Sequence, residues 1–136
     1  MKTVFVDAAY WVALLNPHDD LHDRAITVGR PLVECVFVTT EMVLTEVLNF
    51  FAERGNAPRR AAVELIRRLR EDANARIVAQ TSAQFDEALQ LYGERLDKGW
   101  SRTDCASFGV MEKQGITEAL TYDDHLEQAA FKALMR

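Results

Sequence analysis

Short apolar runs that alternate with helical patterns constrain this chain most. Val4-Phe5-Val6 is continuous and apolar, without the in-out alternation of a half-exposed strand. Such a run reads as a strand covered on both faces, the situation of a parallel sheet. Asp7 closes it, and Ala8 to Leu15 then reads as a short apolar helix stopped by Asn16-Pro17, because the residue before a proline is pushed out of helical geometry. The alternation recurs. His18 to Asp20 opens a helix running to about Arg30, with Leu21, Ala25 and Val28 on one side, and Cys35 to Val38 is a second strand. Thr39 and Thr40 are cap candidates for a helix from Glu41 to about Arg54, ended by Gly55. Met42, Val43, Val47, Phe50 and Phe51 form its apolar side. Pro58 fits the first turn of the next helix, which runs to about Glu71 with Ala62, Leu65, Ile66 and Leu69 inward. Arg76 to Ala79 is a third strand. Thr81 with Gln84 makes a capping box, and Phe85, Ala88, Leu89, Tyr92 and Leu96 follow as a helical stripe. Strands alternating with helices mean an α/β protein with a mainly parallel sheet. No repeat, linker or low-complexity tract interrupts the pattern, so residues 1–136 read as one domain, long enough for a sizeable core.

The stretch from Ser101 to Phe131 brings in the chemistry. Ser101 or Thr103 can cap a helix, and Ser101 stands three before Asp104, a loose capping-box spacing. Asp104, Phe108 and Met111 share one stripe, so the buried side of this helix ends in a carboxylate. Gly115 can end the helix in left-handed geometry. A short strand, about Glu118 to Thr121, leads to Asp123. Each acid also has a plain structural role: Asp104 favours a helix N-terminus, and Asp123 makes a turn.

Two further acids join them. Asp7 ends the first strand just before a helix, where open α/β sheets bind ligands, although a plain helix cap reads the same way. Glu46 falls among the apolar residues of its helix, three after Val43 and four before Phe50. A carboxylate taken out of water needs a partner: an arginine, a metal ion or a catalytic network. Asn49 could reach the same spot. All four acids can converge on the carboxyl edge of one sheet. Clustered carboxylates repel and raise one another's pKa unless cations intervene. Oxygen-only ligands favour hard ions, Mg²⁺ or Mn²⁺. Such ions activate water and stabilise in-line phosphoryl displacement. No Ser-His-acid or Cys-His arrangement competes. A haloacid-type phosphatase needs a second Asp where Ala9 stands, and a receiver domain needs an acidic pair on a preceding strand that is absent here.

Hydrophobic residues at 49% and charged residues at 27% suit a soluble globular protein. Neither a signal peptide nor a membrane span is expected. Cys35 and Cys105 are too few for a disulfide framework or a zinc site, and read as free thiols in a reducing cytoplasm. His18 and His22 are four apart, but no glutamate adjoins His18 and no third ligand stands nearby, so zinc is disfavoured. The net charge of −5 argues on its face against nucleic acid. Against that average, Arg54, Arg59, Arg60, Arg67, Arg68 and Arg70 crowd a segment whose only acid is Glu64.

The pieces Val-Phe-Val-Asp7, Thr-Glu46-Val-Leu-Asn49, Arg-Thr-Asp104-Cys-Ala-Ser-Phe and Ala-Leu-Thr121-Tyr-Asp123-Asp-His-Leu, in this order and spacing, resemble the PIN-domain ribonucleases of the VapC toxin type over nearly the whole chain. The resemblance implies a three-layer α/β/α sandwich and a Mg²⁺- or Mn²⁺-dependent endoribonuclease. It implies that Asp7, Glu46, Asp104 and Asp123 form the catalytic and metal-binding set, with Thr121 as a supporting hydroxyl. It also implies inhibition by a small antitoxin and a homodimer. Leu126 departs from the family, in which many relatives carry Phe, and the Asp123-Asp124 doublet leaves two candidates for one position. Asp123 keeps the Thr-x-Asp spacing. Two bound divalent ions would offset most of the −5 charge and let an RNA backbone approach. A carboxylate cluster would equally accept an arginine from a partner. Trp11, Leu15, Phe50 and Phe51 are expected as exposed apolar anchors for that partner, because their helices are apolar all round. A PIN-like nuclease with a housekeeping RNA or DNA substrate and a non-catalytic binding module of the same fold are the alternatives. The intact acid set argues against the latter.

Overall fold

A computed structural model describes all 136 residues. The elements in chain order are β1 (Thr3–Val6), α1 (Ala8–Leu15), α2 (His22–Gly29), a 3₁₀ turn (Arg30–Leu32), β2 (Val36–Thr40), α3 (Glu41–Phe51), α4 (Asn56–Glu71), β3 (Ala75–Val78), α5 (Ser82–Glu94), α6 (Arg102–Gln114), β4 (Glu118–Leu120), α7 (Asp124–Gln128) and β5 (Lys132–Ala133). The sheet has the order β3-β2-β1-β4-β5, and every neighbouring pair is parallel. Helices α1 to α4 pack on one another, and α5 packs on α6 and α6 on α7, so the sheet is the middle of three layers.

β1 is the centre of this arrangement. Val4, Phe5 and Val6 are fully buried, as a strand covered on both faces requires. Phe5 pairs with Val38 of β2 on one side and with Ala119 of β4 on the other. From β1 the chain first builds outward through β2 to β3, then crosses back to place β4 and β5 on the opposite side. The connections therefore diverge between β1 and β4, and a crevice opens at the carboxyl ends of those strands.

Local chemistry sets the element ends. Thr40 ends β2 and also caps α3, its hydroxyl accepting from the Val43 N–H at 3.0 Å. Gly115 ends α6 with φ +67, and the Ile116 N–H reaches back to the Met111 carbonyl at 2.8 Å. That geometry suits glycine, and the buried Ile116 beyond it locks the turn against the core.

Several expectations shift. α2 begins at His22, because Asp19 holds a turn through the Leu21 N–H. α3 stops at Phe51, and Gly55, with φ +105, opens α4 instead of closing α3. The apolar stripe of α5 exists but is not its buried face. Of the expected stripe only Ala88 is buried; Phe85, Leu89 and Tyr92 are exposed, and Leu96, past the end of α5 at Glu94, is 86% exposed. α5 meets α6 through Ala88 and Leu91, opposite Cys105, Ala106 and Gly109, where small residues allow close approach. Trp11 and Phe51, expected as exposed anchors, are buried: Trp11 donates toward the Thr39 hydroxyl at 3.5 Å, and Phe51 packs edge-on to Phe50 at 4.9 Å. Leu15 and Phe50 are half-buried. No helix is long and apolar enough to cross a membrane.

Candidate metal centre

Asp7, Glu46, Asp104 and Asp123 line one cleft of about 340 Å³, together with Ala8, Ala9, Gly99, Ser101 and His125. Four different elements deliver the acids. Asp7 follows β1, Glu46 lies in the second turn of α3, Asp104 is in the first turn of α6, and Asp123 follows β4. Three of them are also cap residues. Asp7 Oδ1 accepts the Ala8 N–H at 2.9 Å at the start of α1. Asp123 Oδ1 accepts the His125 N–H at 2.9 Å at the start of α7. Asp104 completes a reciprocal capping box: its N–H donates to Ser101 Oγ and its Oδ2 accepts the Ser101 N–H, both at 3.0 Å. The structural role and the site role of these acids are thus one placement, with helix N-termini favouring the charge.

Thr121 ties two acids together. It is fully buried, donates to Asp7 Oδ2 at 3.0 Å, and accepts the Asp123 N–H at 3.1 Å. The Asp7 N–H continues the β1–β4 ladder to the Leu120 carbonyl at 3.2 Å, which sets the two strand ends side by side. Of the Asp doublet, Asp123 lines the cleft, while Asp124 is exposed and does not.

The cleft is electrostatically loaded. Burial pushes the Asp7 carboxyl up to about 6, against the Ala8 and Thr121 hydrogen bonds, with Asp104 and Glu46 adding repulsion. Glu46 is also raised, first by partial loss of water and then by Asp104 and Asp123, while the Thr103 hydroxyl pulls it down. Glu46 stays exposed at the rim, so its removal from water is less complete than its apolar neighbours suggest; Asn49 is exposed and not part of the cleft. No lysine or arginine pairs with any of the four acids.

The partner that is present is His125. Its Nδ1 lies 3.0 Å from Asp104 Oδ2 and 3.4 Å from Asp123 Oδ1. Partial burial pulls its pKa down, but the Asp104 hydrogen bond and the charges of Asp123, Asp104 and Asp124 outweigh this and raise it. Ligand atoms of Asp104, Asp123 and His125 lie within 4.8 Å of one another. This donor set, carboxylates with one imidazole and no lysine or arginine, fits a divalent ion once His125 is deprotonated. His125 had no assigned role in the sequence reading; its place two residues after a cap acid was the available signal. The arginines of α4 do not line the cleft, and Arg68 pairs with Glu64 along the helix.

The sequence matches the PIN domain family over residues 4–132, and the chain belongs to that family. It is 30% identical over 130 residues to VapC20, the 23S rRNA-specific endonuclease of Mycobacterium tuberculosis, covering 94% of this chain and 95% of that protein. The crystal structure of M. tuberculosis VapC20, described as a sarcin-ricin-loop-cleaving toxin, aligns with a TM-score of 0.83 at 28% identity, over 94% of this chain and 95% of that one. FitAcB of Neisseria gonorrhoeae shares the fold, with a TM-score of 0.65 at 17% identity over 96% and 94% of the two chains.

Proposed function

We propose that this chain, acting as one nuclease domain, is the toxin of a toxin-antitoxin pair and cleaves RNA at the acidic cleft with Mg²⁺ or Mn²⁺. The observation that carries this reading is the set of four carboxylates from four elements, gathered in one cleft with no arginine or lysine to neutralise them. Membership of the PIN family and the similarity to a 23S rRNA-specific endonuclease support RNA as the substrate.

Asp104, Asp123 and His125 present the closest ligand atoms, and Asp7 and Glu46 complete the acidic wall. A divalent ion in such a set supplies a Lewis acid that activates water and stabilises charge on the phosphate. Asp7 is fixed in orientation by Ala8 and Thr121, so its carboxyl needs no rearrangement on binding. The Ser101 N–H orients the Asp104 carboxyl in the same way, and the His125 N–H that of Asp123. The chain acts in the cytoplasm, where Cys35 and Cys105 stay reduced. A small antitoxin inhibits it, with an arginine laid among the carboxylates. A homodimer is supported by the exposed apolar residues Leu89 and Tyr92 on α5 and Leu96 just beyond its end.

Purified protein incubated with ribosomal RNA should cleave it in Mg²⁺ or Mn²⁺ and stop in EDTA. Undiminished cleavage in EDTA, with metal content checked, would contradict the metal requirement. A neighbouring reading frame for a small antitoxin that binds and inhibits the protein separates the toxin from a housekeeping nuclease.

A further inference from the structure

The acidic cleft accounts for where a phosphodiester would be cut, but four carboxylates do not hold the rest of a polyanion. Arg102 has the chemistry to do so. It is the first residue of α6, two before Asp104. Its guanidinium lies over the ring of Phe85, 4.3 Å from the centroid, and its Nη2 donates to Met42 Sδ at 2.8 Å. A thioether is a weak acceptor. Its Nη1 is buried without a hydrogen-bond partner, and no carboxylate pairs with it although the chain is acidic. A guanidinium two residues from Asp104, held only by a weak acceptor and by no carboxylate, matches a phosphate oxygen, which would replace the sulfur at Nη2.

The ring beneath it adds a second kind of contact. Phe85 stands in the first turn of α5, which follows β3, and is 40% exposed. Beyond the end of β4, Tyr122 lies between Thr121 and Asp123, with 47% of its surface exposed. Arg136 sits 5.3 Å from the Tyr122 ring centroid, donates to the Tyr122 carbonyl at 3.2 Å and is ion-paired with Glu127 at 2.7 Å, so the cation available to a phosphate is Arg102. Strand order fixes the relative placement. β3, which leads into the helix of Phe85, and β4, which leads into Tyr122, lie on opposite sides of β1, so the two residues follow strands on either side of Asp7, outside the lining of the acidic cleft. A single exposed ring is ordinary on a protein surface. Two exposed rings with a guanidinium nearby, on the strand ends either side of Asp7, match the aromatic and cationic pairing that holds unpaired nucleotides.

We propose that Phe85 with Arg102, and Tyr122 on the opposite side, are base-stacking positions for the nucleotides flanking the scissile phosphate, and that Arg102 binds a backbone phosphate. This rests on the nuclease reading of the cleft. Stacking of this kind needs unpaired bases, because bases inside an A-form helix are held in their own stack.

The test is fluorescence anisotropy of a labelled single-stranded oligoribonucleotide on non-cleaving Asp7→Asn protein, with and without second substitutions. Cleavage kinetics of the same substitutions in the parent background run in parallel with Mn²⁺. Phe85→Ala and Tyr122→Ala should each weaken single-strand binding about tenfold, raising KM with kcat little changed. Phe85→Tyr should restore parent binding, which a merely structural role for the ring would not require. Arg102→Gln should lower the slope of log Kd against log salt by about one. A duplex of the same sequence should bind weakly and respond to none of these changes. Both alanine variants are at exposed positions, so the fold is expected to persist, and their thermal unfolding checks it. Cleavage by the parent with unchanged Kd and KM in both alanine variants would overturn this inference alone. No cleavage by the parent would overturn the nuclease reading and this inference with it.

Discussion

Asp7 shows how one side chain carries a cap, a site and a cost. Its carboxyl starts α1 and accepts from Thr121, yet burial beside Asp104 and Glu46 raises it to about 6 from an ordinary 3.8. Between those values the folded protein holds a proton that the unfolded chain has released, so stability rises as pH falls through that window. His125, raised mainly by Asp104, acts in the same direction: its contribution is full below its unfolded value and is lost as pH climbs through the folded one. Metal-free protein should therefore unfold at a higher temperature at pH 5 than at pH 7.5. Asp7→Asn should raise the pH 7 stability of metal-free protein by on the order of 2 kcal/mol and flatten this dependence, while losing activity. Thermal melts in EDTA across that range check both; an Asn variant no more stable than the parent would show that Asp7 is not held under strain. Thr121→Val should cost about 1–3 kcal/mol, since it strips a buried acceptor from the Asp123 N–H and a donor from Asp7. Urea unfolding measures it. The convergence of Asp7, Asp104 and Asp123 on one cleft was legible in the sequence because acids at strand ends and at helix starts lie along the same sheet edge. His125 was not, because its role depends on the short α7 turning it back toward Asp104.

Helix ends do much of the positioning. α1, α6 and α7 all begin at the cleft, each with its first acid bonded to its own backbone. Ser101→Ala should cost about 1 kcal/mol through the lost cap and also lower cleavage, since Asp104 is oriented by the same box. Loss of stability without loss of cleavage would separate the two roles. Gly115→Ala should cost about 1–2 kcal/mol by forcing a side chain to φ +67, with cleavage per folded molecule unchanged. The capping signals at Ser101, Thr40, Thr81 and Gly115 could be read from sequence, because caps are local chemistry. The rotation of α5 could not. Its large apolar residues and its small Ala88 side both recur at helical spacing, and only the close approach of α6 selects the small face. Trp11 and Phe51 misled for a related reason: a helix apolar all round can be wrapped by its own neighbours, here α1 against α2 and α3, and α3 against α4.

The parallel sheet was legible because strands buried on both faces leave a continuous apolar signature, as in Val4-Phe5-Val6. Its order was not, since β3-β2-β1-β4-β5 depends on crossovers that no local pattern encodes. β5, two residues long, and the five-residue α7 are too short to announce themselves. That order nevertheless makes the site, because the divergence between β1 and β4 brings Asp7 beside Thr121 and Asp123. The most direct test of a divalent-metal nuclease centre at this place is single-turnover RNA cleavage against Mn²⁺ concentration for the parent and Asp104→Asn. The parent rate should rise and saturate with Mn²⁺, and Asp104→Asn should fall by at least about a hundredfold at every concentration while keeping its fold. Equal rates in the two proteins, or a parent rate independent of Mn²⁺, would contradict it.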